Sequence, residues 1–399
     1  MKYLIVLGDG MADRPVPELN HQTPLRLAVK PTIDRLARMG QVGLVRTVPD
    51  GMKPGSDVAN LSVMGYDPAR YYSGRSPLEA LSIGVPMTAT DVAMRANLVT
   101  LSDSDLSKAV MTDYSAGEIS TEEARVLIED LAKELDSDRF RLYPGVSYRH
   151  CLLVKNGSTA VSLTPPHDIS GQLVRDHLPQ GDDARALLDL IERSGKILCN
   201  HPVNRKRIAE GKNPATNLWF WGAGTRPALD DFRLKYGLCG AVVSAVDLLK
   251  GIAVGAGMRH PDVVGATGTL HTNLGGKLDA VKQAFETGAD FVYLHLEAPD
   301  ECGHQGDALG KIKAIEMVDR ATADLVAYLD NRNEPYVVAV LPDHATPLSI
   351  RTHSAEPVPY LIYDSRNPAN SWLVFNETDA QKGVFLPQGD LILKTMLQL

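Results

Sequence analysis

The sequence predicts an α/β protein built on a largely parallel sheet, with an α+β unit inserted into it. Three observations carry this expectation. The run "KYLIVL" (2–7) is continuously apolar and ends in Gly8-Asp9-Gly10, as a buried parallel strand does where it opens into a loop. Comparable runs recur late, at 240–245, 291–297, 336–344 and 358–364, separated by helical patterns at 245–256, 277–287 and 308–329. Between about residues 90 and 235 the alternation gives way to strand pairs and separate helices: "RANLVTLS" (95–102), "RLYPG" (141–145) and "HCLLVKNG" (150–157), with helices over 121–135 and 183–194. Strands alternating with helices imply parallel pairing. Because the late strands resume the pattern that the first began, the expected domains are 1–88 with 237–399, interrupted by 89–236.

A chain of 399 residues exceeds one ordinary core, and 44% hydrophobic with 23% charged residues describes a packed globular protein. A net charge of -8 and a pI near 5.8, with no basic stretch, argue against nucleic acid as a partner. Cys151, Cys199, Cys239 and Cys302 stand far apart with no CxxC pair, as expected for reduced thiols rather than a zinc site. The N-terminal apolar run is too short for a signal peptide or a membrane span, so a cytoplasmic location without membrane association is expected.

The chemistry gathers where strands end. The first strand runs into Asp9, the strand 291–297 into "APDECGHQGD" with Asp300 and His304, and the strand 336–341 into "PDHATP" with Asp343 and His344; His353 follows in "RTHSAEP". In parallel sheets the working residues sit beyond the carboxyl ends of the strands. Oxygen and nitrogen ligands without thiolates suit Mn, Mg, Zn or Fe, and two clusters suit a metal pair. Asp300 and His304, four apart on a helical turn, share one face and can chelate one ion or form a simple surface pair. Ser56 in "KPGSDVANLS" opens a helical run. The bland expectation is an N-cap; the functional one is a hydroxyl beside a metal and a helix dipole, poised to attack phosphorus.

These motifs resemble the shorter, archaeal-type cofactor-independent phosphoglycerate mutases of the alkaline phosphatase superfamily. The resemblance runs along the whole chain, through "GDGMADRP", "PGSDVANLSVMGYDP", "YSGRSPLEA", "DYSAGEIS", "YPGVSYRH", "PPHDI", "GAGTRP", "PDECGHQGD" and "LPDHATP". It implies an alkaline-phosphatase-like domain with an inserted substrate-binding domain, and Ser56 as a phosphorylated nucleophile. One divalent ion would be held by Asp9, Ser56, Asp343 and His344, and the other by Asp300, His304 and His353, both manganese or magnesium, with no 2,3-bisphosphoglycerate cofactor. The substrate would be a small phosphorylated metabolite, 3-phosphoglycerate converting to 2-phosphoglycerate while the insert excludes water. Arg95, Arg149 and Arg226 of the insert are the expected grips on anionic groups, with His150, His167 and Asp168 orienting hydroxyls or moving a proton. Lys250 is the lysine expected at the phosphoryl group, with Lys277 as the other candidate.

Asn60 departs from the pattern, since a histidine is expected there and an amide cannot exchange protons near neutral pH. The segment 198–224, with Trp219, Phe220 and Trp221 near basic residues, is closer to a bacterial subgroup proposed to act as homoserine kinase. In that alternative an aromatic stacks on the adenine of ATP, although no P-loop is present. A metal-dependent phosphomonoesterase is the lesser alternative.

Overall fold

In a computed structural model, residues 1–398 are described, and the chain divides into two compact units, Met1–Tyr72 with Leu229–Leu399, and Ser73–Ala228. The first contains a seven-stranded sheet in the order Gly240–Val243, Phe291–Leu296, Lys2–Gly8, Tyr336–Leu341, Val358–Asp364, Gln41–Val45, Val384–Leu386. The first four run parallel, and only Val358–Asp364 opposes its neighbours. Strands Gln41–Val45 and Val384–Leu386 were not foreseen: the first carries Gly43, whose backbone packs against Val384 too closely for a Cβ, and the second is three residues long.

The four parallel strands are apolar throughout because both faces are covered. Alternate residues Leu4, Val6, Val292, Leu294, Val338 and Val340 pack into one core with Val281 and Phe285 of helix Leu274–Glu286 and Ile315, Val318 and Leu325 of helix Ala308–Asp330. That core holds four strand ends in register, and Asp9, Asp343 and helix Ala298–Gln305 all follow their carboxyl edge.

The second unit is antiparallel. Strand Val92–Leu101 pairs with Arg149–Val154 on one side and Asn217–Thr225 on the other, with Met111–Asp113 and Phe140–Val146 completing the sheet. Asn217–Thr225, also unforeseen as a strand, buries Leu218, Trp219 and Phe220 consecutively, so its pattern does not alternate. Leu127, Ile128 and Leu131 of helix Thr121–Leu135 and Leu187 and Ile191 of helix Ala184–Leu198 are fully buried in the same core. This unit begins at Ser73 rather than near residue 89, because helix Arg75–Ser82 packs on strands Val92–Leu101 and Asn217–Thr225. It ends at Ala228 rather than 236, because Phe232 stacks on Phe291 of the other unit's own sheet at 5.0 Å.

Helix Thr121–Leu135 starts at Ser120, whose hydroxyl accepts a hydrogen bond from the Glu123 amide at 3.2 Å. Ser120→Ala is expected to cost about 1 kcal/mol, the ordinary worth of such a cap, read as a lower denaturant midpoint with an unchanged slope. Among the described residues no helix is long and apolar enough to cross a membrane.

Candidate active site

Asp9 follows strand Lys2–Gly8, and the chain then turns at Gly10 with φ 61°. A Cβ there would lie 2.7 Å from Asp300 Oδ1 and 2.5 Å from Thr346 Oγ1, so glycine is required both by conformation and by the closeness of the two strand-end loops. Gly10 N donates to Asp343 Oδ1 at 3.2 Å. Asp9, Asp343 and His344 are almost completely buried and offer ligand atoms within common reach. His344 Nε2 lies 3.6 Å from Asp9 Oδ1 and 3.4 Å from Asp343 Oδ2.

A second cluster joins it. Asp300 and His304 do share a face of helix Ala298–Gln305, with His304 Nε2 3.2 Å from Asp300 Oδ2. His353 Nε2 is 3.5 Å from Asp300 Oδ1 and 3.0 Å from His304 Nε2. The rings of His344 and His353 lie 4.0 Å apart, and Asp300, His344 and His353 also lie within common reach, so His344 stands between the two clusters.

The electrostatics call for cations. Burial, then the neighbouring charges of Asp343, Asp300 and Glu297, push Asp9 well above the ordinary carboxylate range. Its Oδ1 is buried with no hydrogen-bond partner among the described residues. Burial would raise Asp300 too, but bonds from His304 and His353 hold it far below its usual value, and His304 rises to about 9 through its bond to Asp300. Buried, mutually repelling carboxylates with an orphaned oxygen and convergent imidazole nitrogens fit divalent ions bound through oxygen and nitrogen.

Ser56 is not a cap. It is the first residue of helix Ser56–Val63, with Gly55 in the cap position and no side-chain capping bond. The Val58 amide is served by Asp57 Oδ1 at 2.9 Å, which leaves the serine hydroxyl free to meet His344 Nε2 at 3.1 Å. Asn60, one turn later and fully buried, donates from Nδ2 to the Ser56 carbonyl at 2.9 Å and to Asp343 Oδ2 at 2.6 Å, so the amide is a structural bridge rather than a proton carrier.

The two candidate lysines differ in their surroundings. Lys250 Nζ is turned to Asp262 at 2.9 Å and Asp247 at 4.0 Å, pairs of its own helix and the following loop. Lys277, in the first turn of helix Leu274–Glu286, is fully buried, and its Nζ lies 3.3 Å from the His295 carbonyl at the end of strand Phe291–Leu296. Burial lowers its pKa to about 8.

In the inner unit, Arg95 forms a paired-nitrogen salt bridge with Glu79 and lies 4.4 Å over the Trp221 ring. Arg226 donates to the Met87 carbonyl at 2.9 Å. His150 is a core histidine: burial drives its pKa to about 3, and Nδ1 accepts from the Gly145 amide at 3.0 Å. His167 and Asp168 are exposed neighbours at 3.5 Å, with His167 edge-on to Trp221. Arg149 is exposed beside Tyr148 and has no carboxylate partner among the described residues. Trp219 and Phe220 are core, and Arg207 is buried on Glu123 and the carbonyls of Ala116 and Asn213. Trp219, Phe220 and Arg207 are thus spent on packing, whereas Trp221 is half-buried and Arg205 and Lys206 are exposed.

Tyr293 and His295 were missed. Tyr293 donates to Asn60 Oδ1 at 2.6 Å, and His295 Nε2 lies 2.8 Å from Asp9 Oδ2. The available signal was two polar-tipped side chains, two positions apart, inside the otherwise apolar "FVYLHL".

The comparisons with known proteins agree along the chain. A family described as 2,3-bisphosphoglycerate-independent phosphoglycerate mutase matches residues 37–204, and one described as type I phosphodiesterase / nucleotide pyrophosphatase matches residues 203–353. A 2,3-bisphosphoglycerate-independent phosphoglycerate mutase of Methanothrix thermoacetophila is 49% identical over 399 residues, covering 100% of both chains. A probable enzyme of the same name from Geobacter sulfurreducens is 47% identical, again over 100% of both. Among solved structures, the PH0037 protein from Pyrococcus horikoshii has a TM-score of 0.83 at 30% identity, covering 100% of this chain and 96% of that one. The cofactor-independent phosphoglycerate mutase from Thermoplasma acidophilum has a TM-score of 0.71 at 28% identity, covering 100% and 99%.

Proposed function

The chain belongs to the 2,3-bisphosphoglycerate-independent phosphoglycerate mutases, and on that premise we propose that it interconverts 3-phosphoglycerate and 2-phosphoglycerate with Ser56 carrying the phosphoryl group. The observation that carries the assignment is the Ser56 hydroxyl, excluded from capping and set 3.1 Å from His344 among buried carboxylates.

Asp9, Ser56, Asp343 and His344 would hold one divalent ion and Asp300, His304 and His353 the other, manganese or magnesium. When bound, these ions supply charge neutralisation for phosphoryl oxygens and acidify the serine hydroxyl. The protein's own groups do the rest. Ser56 Oγ forms a bond to phosphorus as the bond from phosphorus to the glycerate oxygen breaks; Oγ loses its proton and the departing oxygen gains one. The other glycerate hydroxyl then attacks the phosphoserine and reverses the exchange, so no net proton is consumed. The Ser56 and Asp57 amides that open helix Ser56–Val63 receive the phosphoryl oxygens, the Val58 amide being held by Asp57, and Lys277 adds a cation from the end of strand Phe291–Leu296. Arg149, whose guanidinium is exposed and carries no ion pair among the described residues, is the inner-unit residue best suited to a substrate carboxylate. Arg95 is already paired with Glu79, whereas the exposed Arg226, with one hydrogen bond to the Met87 carbonyl, keeps donors for a second anionic group.

The test is turnover of 3-phosphoglycerate by the manganese-loaded protein, coupled to enolase, beside ATP-dependent phosphorylation of homoserine. Turnover in the first alone is expected; turnover in the second alone would overturn the reading. Prolonged chelation is expected to abolish activity, manganese to restore it, and the ions to raise the melting temperature. An unchanged rate after chelation, with metal content verified as zero, would remove the ions from the mechanism.

A further inference from the structure

Strand Phe291–Leu296 contributes no residue to either proposed ion, yet it reaches both carboxylates of one of them, Asp9 directly from His295 and Asp343 from Tyr293 through Asn60. Its side chains alternate between faces. Val292 and Leu294 enter the core against the helices, while Tyr293 and His295 point to the opposite side, both fully buried.

The hydrogen bonds around His295 fix its tautomer. An ionised Asp9 carboxylate can only accept, so the proton shared with it belongs to His295 Nε2, and Nδ1 is left to accept from the Ser244 hydroxyl at 3.2 Å, whose oxygen also accepts from the Val246 amide at 3.0 Å. The Nε2 proton is thus donated to Asp9 Oδ2 at 2.8 Å. One carboxylate oxygen is thereby held, and Oδ1 is the oxygen turned, unpartnered, toward His344. Around Asp343 the same logic runs through an amide. Asn60 Nδ2 faces two oxygens that only accept, the Ser56 carbonyl at 2.9 Å and Asp343 Oδ2 at 2.6 Å, which settles which end of the amide is nitrogen, and Oδ1 accepts from the Tyr293 hydroxyl at 2.6 Å.

We propose that Tyr293, acting through Asn60, and His295, set by Ser244, are positioning residues that aim the carboxylates of Asp9 and Asp343 at a shared metal ion. This rests on the assignment of Asp9 and Asp343 to one ion. All four groups donate without bringing a net charge, so they orient the carboxylates and leave their negative charge for the cation. Such outer partners commonly hold about 10–100-fold of metal affinity.

The decisive measurement is manganese titration of the metal-stripped full-length protein, following free Mn2+ by electron paramagnetic resonance. Ser244→Ala and Tyr293→Phe each remove one hydroxyl, and His295→Leu removes the donor to Asp9. Each is expected to weaken one of the two ions by about tenfold or more, with His295→Gln, which keeps a donor, recovering most of the loss. The melting temperatures of Ser244→Ala and Tyr293→Phe, measured in chelator, should shift far less than their manganese affinity, which a merely structural role would not produce. Wild-type affinity for both ions in Ser244→Ala and Tyr293→Phe would overturn the proposal while leaving the site intact, provided Asp9→Asn loses one ion. Wild-type affinity in Asp9→Asn as well would overturn the ion assignment and the proposal together.

Discussion

Ser56→Ala is expected to reduce phosphoglycerate interconversion by about 10^3- to 10^6-fold, the range seen when a nucleophilic hydroxyl is removed. The fold should be untouched. The hydroxyl caps no helix, because Gly55 holds that position and Asp57 serves the Val58 amide, so its loss removes no structural hydrogen bond other than the contact to His344. Stability is therefore expected to stay within about 0.5 kcal/mol in the metal-free protein. The discriminating readout is transfer of label from phosphoglycerate to protein: the wild type should trap label on Ser56 after rapid acid quench, and the variant should trap none. Label on another residue in the variant, or full turnover, would reassign the nucleophile.

The second large effect is on stability and comes from a buried ion pair. Lys311 and Asp13 are almost wholly removed from solvent and meet at 2.7 Å. The ammonium also donates to the carbonyls of Thr346 at 2.8 Å and Ala12 at 3.2 Å, while the Asp13 carboxylate accepts from the Arg14 amide at 2.8 Å and the Leu348 amide at 3.2 Å. Burial pulls the Lys311 pKa down from its ordinary value even with Asp13 beside it. Asp13→Ala leaves a buried cation with carbonyls alone and is expected to cost about 3–5 kcal/mol, the penalty for breaking such a pair. Asp13→Leu combined with Lys311→Met, which removes both charges, should cost less than Asp13→Ala alone. Chemical denaturation of the three proteins tests this, and additive losses in the double variant would refute it. Activity should fall with the single variant as well. Lys311 ties the loop after Asp9 to the loop after His344, and the two loops carry ligands of the same proposed ion.

Much of the fold was legible because a parallel strand buried on both faces has one affordable composition, and Lys2–Gly8, Phe291–Leu296 and Tyr336–Leu341 show it without interruption. Gln41–Val45 and Asn217–Thr225 were not legible. A glycine interrupts the first, and four consecutive buried residues, Asn217 to Phe220, hide the period of the second, so partners distant in sequence decide both. The ligand set was readable for a related reason: in such sheets loops at carboxyl ends carry the chemistry, and Asp9, Asp300, Asp343 and His344 all follow strands. Placing Lys250 ahead of Lys277 had no firm basis in the sequence, since each lies on a helix and only packing determines which ammonium is buried against the strand ends.

By itself, then, the order of residues determined the alternation of strands and helices, the edge of the sheet where acidic and imidazole side chains collect, and the serine that opens a helix among them. These are local properties, set by periodicity, by side-chain chemistry and by the chain direction of each strand. Only the tertiary structure decided that Ser56 is free rather than capping, that Asn60 is a bridge, that Lys277 rather than Lys250 is buried against the end of strand Phe291–Leu296, and that Arg207, Trp219 and Phe220 are packing. Each of these depends on which atoms meet across the chain, from 18 residues for Lys277 and His295 to 288 for Ser56 and His344, or on which donors a neighbour has already satisfied. A hydroxyl, an amide or an ammonium has the same sequence symbol whether its hydrogen bonds are spent or available.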